Sequence, residues 1–284
     1  MKRNGVGDVV NLPNFPMAER KKFGKFTTSP LSLLAFYFLS VGFAACQFRP
    51  SYPSDKTAGA LKKMCSKNYG LSVEARRAGD SLQAFIWRVG MMRAGQAEMR
   101  PEAAEAFERA LLCATRISLS TDDPLKFLEI KMVDALTGAT VSLFRFVPDI
   151  KDSMYSRFAE EEYFSRLVLE FETRRDDRKK EWKEVDWDPP MTMQKFLAKQ
   201  VVSRLKRRGP LGLQAHEDLS RPQTLTVVLD NWNVIEKQGA RQKQDVTDLM
   251  EQTARKVVHG YRYTGFREFV LQNQQGLALK RGVF

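Results

Sequence analysis

Residues 126–133, KFLEIKMV, carry the clearest strand pattern in the chain and set its fold class. Apolar side chains alternate with charged ones along this run. The apolar positions are Leu128, Ile130 and Met132, and the charged positions between them are Glu129 and Lys131. A turn sequence at residues 136–138 separates the run from a second apolar segment at residues 140–147. Two such runs joined by a short turn predict a β-hairpin.

Residues 166–173, RLVLEFET, alternate in the same way. The side chains expected to face the core are Leu167, Leu169 and Phe171, and those expected to face water are Val168, Glu170 and Glu172. Because one face of each run is apolar and the other polar, these patterns predict an antiparallel sheet with one solvated face.

Elsewhere apolar residues recur at spacings of three and four, which predicts amphipathic helices. The predicted helices cover residues 55–67, 71–97, 100–117, 192–208 and 242–259, and the predicted later strands lie at residues 224–229 and within 261–284. The predicted fold is therefore α+β. A helical region, residues 55–118, precedes residues 119–284, in which an antiparallel sheet is interspersed with helices. No internal repeat is evident in the sequence.

Residues 31–46, LSLLAFYFLSVGFAAC, suggest where in the cell the protein is located. They carry no charge and follow a basic leader, residues 1–30. A membrane-spanning helix needs roughly 20 apolar residues, so this stretch is short for a permanent anchor and suits a signal-peptide core. Small residues allow cleavage after Ala44. Cys46 ends a run that resembles a bacterial lipobox, in which that cysteine would be lipidated. Residues 47–54 then read as an exposed linker.

Other interpretations of residues 31–46 remain open. The stretch also fits an uncleaved signal anchor, an organelle transit segment or a buried helix, and translation from either Met1 or Met17 is compatible with the pattern. The sequence therefore predicts a membrane-associated or exported protein, with an organelle as the alternative location.

The net charge of +12 and the pI of about 9.6 point to anionic partners, such as nucleic acid or an anionic lipid surface. Only six basic and two acidic groups lie in residues 1–46, so most of the excess belongs to the rest of the chain. The densest basic cluster is on the predicted helix at residues 192–208. We predict that its basic side chains bind phosphates or an anionic surface; they are Lys195, Lys199, Arg204, Lys206, Arg207 and Arg208.

Cysteine usage offers a possible cross-link. If Cys46 is lipidated or removed, Cys65 and Cys113 remain as a pair that could form a disulfide in an oxidising compartment. No CxxC motif occurs and the chain has two histidines, so no metal site or cofactor is predicted. No glycine-rich phosphate loop or small-molecule site is evident either.

The charged segment at residues 174–190 holds Trp182 and Trp187 among charges of both signs. It is interpreted as a solvated linker, and the alternative is an interaction arm anchored by the two tryptophans.

Three functions follow from these features. The first is a non-enzymatic basic protein, exported or membrane-tethered, that is a binding or structural component of an envelope assembly or docks on an anionic surface, with protein partners in that assembly. The second is an organellar or viral nucleic-acid-binding protein that contacts the phosphate backbone through residues 192–208.

The third is a metal-dependent nuclease. Glu129 and Lys131 resemble the Glu-x-Lys of restriction-endonuclease-like nucleases, in which carboxylates hold a divalent metal ion. That resemblance implies an additional upstream aspartate, for which Asp122 and Asp123 are the candidates.

Overall fold

The computed structural model describes residues 52–92, 99–173, 187–210, 213–237 and 239–284. The predicted leader, the apolar stretch with Cys46 and most of the charged linker lie outside these ranges. The helices are α1 (Thr57–Tyr69), α2 (Pro101–Leu119), α3 (Val147–Met154), α4 (Glu160–Arg166), α5 (Met193–Arg208), α6 (Trp232–Lys237) and α7 (Ala240–Gly260). The strands are β1 (Glu74–Ala78), β2 (Ser81–Arg88), β3 (Phe127–Asp134), β4 (Ala139–Phe146), β5 (Val168–Thr173), β6 (Ala215–Asp218), β7 (Thr224–Leu229), β8 (Glu268–Asn273) and β9 (Ala278–Val283).

The α+β class is confirmed, and the elements form two units of the same topology. In each unit a helix, a hairpin, a second helix and a second hairpin follow one another along the chain. The first unit is α1-β1-β2-α2-β3-β4, and the second is α5-β6-β7-α7-β8-β9, with α6 inserted after β7. The sequence shows no trace of this repeat.

Both sheets are mixed. The first has the order β1-β2-β3-β4-β5 and the second the order β6-β7-β8-β9. Neighbouring strands are antiparallel except for β2 with β3 and β7 with β8, which are parallel. The parallel pairs arise because a helix crosses over between the two hairpins of each unit, and such a crossover returns the chain in the same direction.

The helix predicted at residues 71–97 is wrong, because this segment forms β1 and β2, joined by a tight turn in which Gly79 has a φ of 57°. Strand β2 lies inside the sheet and is buried on both faces, so its apolar side chains occur at even and odd positions. Leu82 and Ile86 face α1 and α2, whereas Phe85 faces the opposite side. That two-sided burial produced spacings of three and four that imitate a helix.

The predicted orientation of the strand at residues 166–173 is also wrong. Val168 is fully buried, whereas Leu169 and Phe171 are each 40% exposed. The reason lies in the layers: α1 and α2 cover one face of the first sheet but stop short of its edge strand β5, and α5 covers the other face. The face of β5 that carries Val168, which was expected to face water, is therefore the buried face.

Helix α5 joins the two units. Its buried side chains pack on Phe127, Phe144 and Val168 of the first sheet and on the apolar face of the second sheet, next to α7. The second unit therefore contributes its first helix to the core of the first unit. By contrast, the core formed by α1 and α2 contains residues of the first unit and its immediate extension only.

Candidate anion-binding surface and buried polar cluster

Helix α5, which holds all six predicted phosphate-binding residues, begins at an N-cap formed by Thr192. The Thr192 side chain accepts a hydrogen bond from the backbone N–H of Lys195 at 3.2 Å. This bond satisfies one of the free donors at the start of the helix. The last turn is basic and complements the negative end of the helix dipole. The helix predicted for residues 192–208 is thus confirmed.

Lys199 is not part of an exposed surface. Its Nζ lies 2.7 Å from Glu170 of β5 and 3.1 Å from Glu217 of β6, and 5.1 Å from the centroid of the Phe144 ring. Burial works to lower the pKa of Lys199, but the carboxylates of Glu217 and Glu170 outweigh it and hold the pKa above its ordinary value. The lysine therefore ties the edge of one sheet to the edge of the other.

Two arginines of α5 donate hydrogen bonds to the C-terminal end of the neighbouring helix α4. The last carbonyl groups of α4 have no partner within that helix. Arg204 donates to the carbonyl oxygen of Ser165 at 3.0 Å and to its hydroxyl at 3.1 Å. Arg207 donates to the carbonyls of Ser165 and Phe164 at 3.3 and 3.5 Å. Arg204 is buried in this contact, so it too is unavailable to an external ligand.

What remains exposed is the end of α5, formed by Lys206, Arg207 and Arg208 and called the α5 terminus below. Arg207 is exposed as a residue, but the partial burial of its guanidinium against α4 lowers its pKa, and the positive charges of Arg204 and Arg208 lower it further. In the described ranges Arg207 has no carboxylate that offsets these charges. Lys195, at the other end of the helix, is half-buried. The structure thus leaves three of the six predicted residues exposed at one end of α5, and none of the three is paired with a carboxylate in the described ranges.

A second polar site, absent from the sequence prediction except for Glu129 and Lys131, lies on the α5-facing side of the first sheet. Gln83 donates to Glu129 at 2.8 Å, and the Nζ of Lys131 lies 2.8 Å from Asp188. Arg76 donates to the carbonyl oxygen of Asp188 at 2.6 Å. These bonds hold the end of the charged linker against β1, β2 and β3.

The aromatic neighbours cover this cluster. The guanidinium of Arg76 stacks on Trp187 at 5.0 Å, and the Trp187 ring meets Phe85 edge-on at 6.3 Å. The remaining cavity is about 10 Å³, which is the room that one water molecule needs.

The pKa values of the two acids in this cluster are shifted in opposite directions. Burial raises the pKa of Glu129 to about 7, despite the hydrogen bond from Gln83. Burial also works to raise the pKa of Asp188, but the hydrogen bond and charge of Lys131 outweigh it and hold that pKa below its ordinary value. Glu129 is therefore the partner that keeps its proton below a pH of about 7, where it donates a hydrogen bond to the Asp188 carboxylate.

The nuclease hypothesis required Asp122 or Asp123 beside Glu129 and Lys131. Both aspartates are exposed, and Asp123 pairs with Arg77 at the surface. The acid that contacts Lys131 is Asp188, which lies 57 residues further along the chain. Within the described ranges no group of three histidine, cysteine or acidic side chains is placed to hold a metal ion. The hypothesis stays a prediction, without a metal site in this part of the chain.

A third network, also missed by the sequence, joins the two units near the end of α7. Asp149 of α3 accepts hydrogen bonds from Arg166, at 2.8 Å, and from the hydroxyl of Tyr261. Gln200 of α5 donates to the Tyr261 hydroxyl at 3.1 Å and to the Arg166 carbonyl at 2.6 Å. No local pattern could reveal this network, because its members lie on four different elements.

The predicted disulfide residues meet in the core. Cys65 of α1 and Cys113 of α2 are both buried and are free thiols in this structure. Burial, and after it the neighbouring Cys113 thiol, raises the pKa of Cys65.

Comparison of the chain with protein-family models, with curated proteins and with solved structures finds no match. In the ranges that the structure describes, no helix has the length and apolar character required to span a membrane.

Proposed function

We propose that this chain is a non-enzymatic protein, exported or tethered to a membrane, that docks on an anionic surface through the α5 terminus. The observation that carries this proposal is the convergence of Lys206, Arg207 and Arg208, with no carboxylate beside Arg207 in the described ranges; the nearest acid is Glu162, which lies 4.0 Å from the buried Arg204. Such a concentration of positive charge attracts anions without demanding a particular sequence or shape.

The rest of α5 explains why this end is suited to docking. Its apolar face and Lys199 are held between the two sheets, and Arg204 is held by α4. The terminus therefore projects from a rigid support, and little conformational freedom remains to be lost when it meets a surface. A lipid surface is favoured because residues 31–46 would bring the body close to one.

The test is a vesicle-binding measurement with residues 47–284, after circular dichroism has shown that this fragment unfolds cooperatively. Sedimentation with phosphatidylcholine vesicles is compared with sedimentation in the presence of added phosphatidylglycerol. Lys206→Gln with Arg208→Gln removes two exposed charges and leaves the bonds of Arg207 to α4. Each basic residue contributes about 1 kcal/mol near an anionic surface, so we expect roughly 30-fold weaker partitioning at low salt.

The matched control removes two exposed lysines from α1 by Lys63→Gln with Lys67→Gln. This variant has the same net charge as the α5 variant and should retain most of the binding. Equal losses in both variants would show that overall charge is responsible, and the α5 terminus would then not be the docking site.

The alternative function, nucleic-acid binding, would use the same cations on phosphates. Fluorescence anisotropy with a DNA duplex and an RNA hairpin, run beside the vesicles at the same salt, separates the two. Tighter binding to nucleic acid, with a steep salt dependence that the α5 variant reduces, would favour the alternative.

The proposed location has its own measurement. When the full chain is expressed, the intact mass of the protein in the membrane fraction should correspond to a chain that starts near Ala45 or at an acylated Cys46. A soluble chain that begins at Met1 would argue against export.

A further inference from the structure

The core between α1 and α2 contains two buried free cysteines, one from each helix. Cys65 is fully buried and Cys113 is 3% exposed, and the two thiols are close enough for each to affect the pKa of the other. Neighbouring thiols on two packed helices can become bonded when their Cα atoms lie within about 7 Å of each other.

The first unit also has a structural need for a cross-link. Of the 13 residues of α1, only Thr57, Leu61 and Cys65 are buried. Helix α5, which begins the second unit, buries nine of its 16 residues and contains no cysteine. Helix α1 is therefore held by three fully covered side chains, of which Cys65 is one, and by the partly buried Ala58, Ala60 and Met64.

We propose that Cys65 and Cys113 form an intramolecular disulfide that fastens α1 to α2. The bond forms by exchange with an external disulfide, either glutathione disulfide or the active-site disulfide of an oxidoreductase. A bond forms between the two sulfur atoms, both S–H bonds and the external S–S bond are broken, and the two protons end on the two sulfur atoms of the external disulfide. The two electrons reduce the external disulfide to two thiols. This inference concerns a different part of the molecule from the α5 terminus and does not depend on anion binding.

Burial determines when the bond can form. The reactive species is the thiolate, and burial raises the pKa of Cys65 to about 12, so the folded protein holds almost none. Exchange therefore takes place during folding, before α1 closes over α2. Once formed, the bond is shielded from reductants by the same packing.

The test uses the full chain with Cys46→Ser in a neutral detergent, so that no other thiol competes. The reduced, denatured chain is refolded with a mixture of reduced and oxidised glutathione, quenched with acid, alkylated and digested. We expect a peptide pair linked through Cys65 and Cys113 in most molecules. Alkylated thiols or glutathione adducts at both positions after refolding would overturn the proposal.

A second measurement separates fastening from simple packing. The oxidised chain should melt about 10 °C higher than the same chain after unfolding and refolding with dithiothreitol, because the bond closes a loop of about 50 residues. The variant Cys65→Ala with Cys113→Ala lacks both thiols, so its melting temperature should be the same with and without dithiothreitol. An unchanged melting temperature in the reduced parent chain would show that the bond does not hold the helices, and would contradict the proposal.

Neither outcome depends on the proposed function, because no anionic surface is present in these experiments. Loss of vesicle binding in the α5 variant with an intact disulfide would support both proposals. If the disulfide forms in a protein that does not bind anionic vesicles, the proposed cross-link would be supported and the proposed docking function would not.

Discussion

The two units share one topology but differ in what their helices do. In the first unit α1 and α2 lie on the outer face of a five-stranded sheet, and α1 buries few residues. In the second unit the equivalent first helix, α5, is buried on two sides, against its own sheet and against the first sheet. The same arrangement of strands and helices therefore has an outer helix in one unit and a central helix in the other.

This difference explains how the basic residues of α5 are used. A helix between two sheets can expose only its ends, so Lys199 and Arg204 form internal contacts and the α5 terminus alone faces outward. If the comparison is correct, substitutions in α5 should disturb both units, whereas substitutions in the first unit should act locally.

Phe196→Ala should have the largest effect. Phe196 is fully buried and packs on Phe127 and Phe146 of the first sheet and on Tyr261 of the second unit. Loss of a buried phenylalanine costs about 3–5 kcal/mol. Urea unfolding followed by tryptophan fluorescence and by circular dichroism should show one shared transition at lower denaturant. Two separate transitions in the parent chain would show instead that the units unfold independently.

Lys199→Met should cost about 3 kcal/mol at neutral pH, since it leaves the half-buried carboxylates of Glu170 and Glu217 without their cation. Burial already raises the pKa of Glu170 despite the lysine, so its loss should raise that pKa further. The penalty should therefore shrink as acid protonates these groups. A comparison of unfolding free energies at pH 7 and pH 4.5 checks this, and a penalty that is equal at both values would argue against the ion pair.

Glu129→Gln should have a smaller effect that depends on pH and is confined to the first unit. The pKa of Glu129 is about 7 in the fold and 4.5 ordinarily, so between these values the unfolded chain has released a proton that the folded chain retains. Stability supplied by the protonated acid is complete below pH 4.5 and is lost as pH rises to 7, by an amount on the order of 2–3 kcal/mol.

The measurement for this prediction is the difference in unfolding free energy between the parent chain and Glu129→Gln from pH 4 to pH 8. Relative to the variant, the parent should lose stability across pH 4.5–7 and change little above it. The lowered pKa of Asp188 acts in the opposite sense but below its ordinary value of 3.8, outside this interval. A difference in unfolding free energy that does not change with pH would show that Glu129 of the folded chain is ionised from pH 4 to pH 8.

Lys206→Gln with Arg208→Gln should change stability least, by less than about 0.5 kcal/mol, because both side chains are exposed. The same variant is expected to weaken vesicle binding. A large loss of stability would mean that the α5 terminus supports the fold, and its vesicle result could not then be assigned to docking.

Local patterns predicted the elements whose two faces differ in polarity. The β3–β4 hairpin, α5 and α7 lie close to where alternation or helical spacing placed them, and β7, which is buried on both faces, lies where a short apolar run predicted a buried strand. The prediction of a helix at residues 71–97 was wrong because β2 is buried on both faces, so its apolar residues have no single period. The orientation of β5 was wrong for a related reason, since the helix that covers one of its faces comes later in the chain.

The candidate sites show the same limit. The α5 terminus could be recognised from Lys206, Arg207 and Arg208 in a row, because consecutive charges at a helix end stay together in any fold. Asp188 could not be recognised as the partner of Lys131, since it follows a long charged segment and approaches the sheet only through the folded chain. Residues that are distant in sequence come into contact only when the helices and sheets pack together, and the spacing of residues along the chain does not show which of them will meet.

The sequence by itself determined the α+β class, the basic character of α5 and the presence of three cysteines, because composition and short-range periodicity are properties of neighbouring residues. Tertiary structure alone decided that the chain is built from two equivalent units, that α5 lies between their sheets, and that Cys65 meets Cys113. The physical reason is burial: whether a side chain is covered depends on which distant element packs over it, and that element also decides whether a charge is exposed, paired or neutralised.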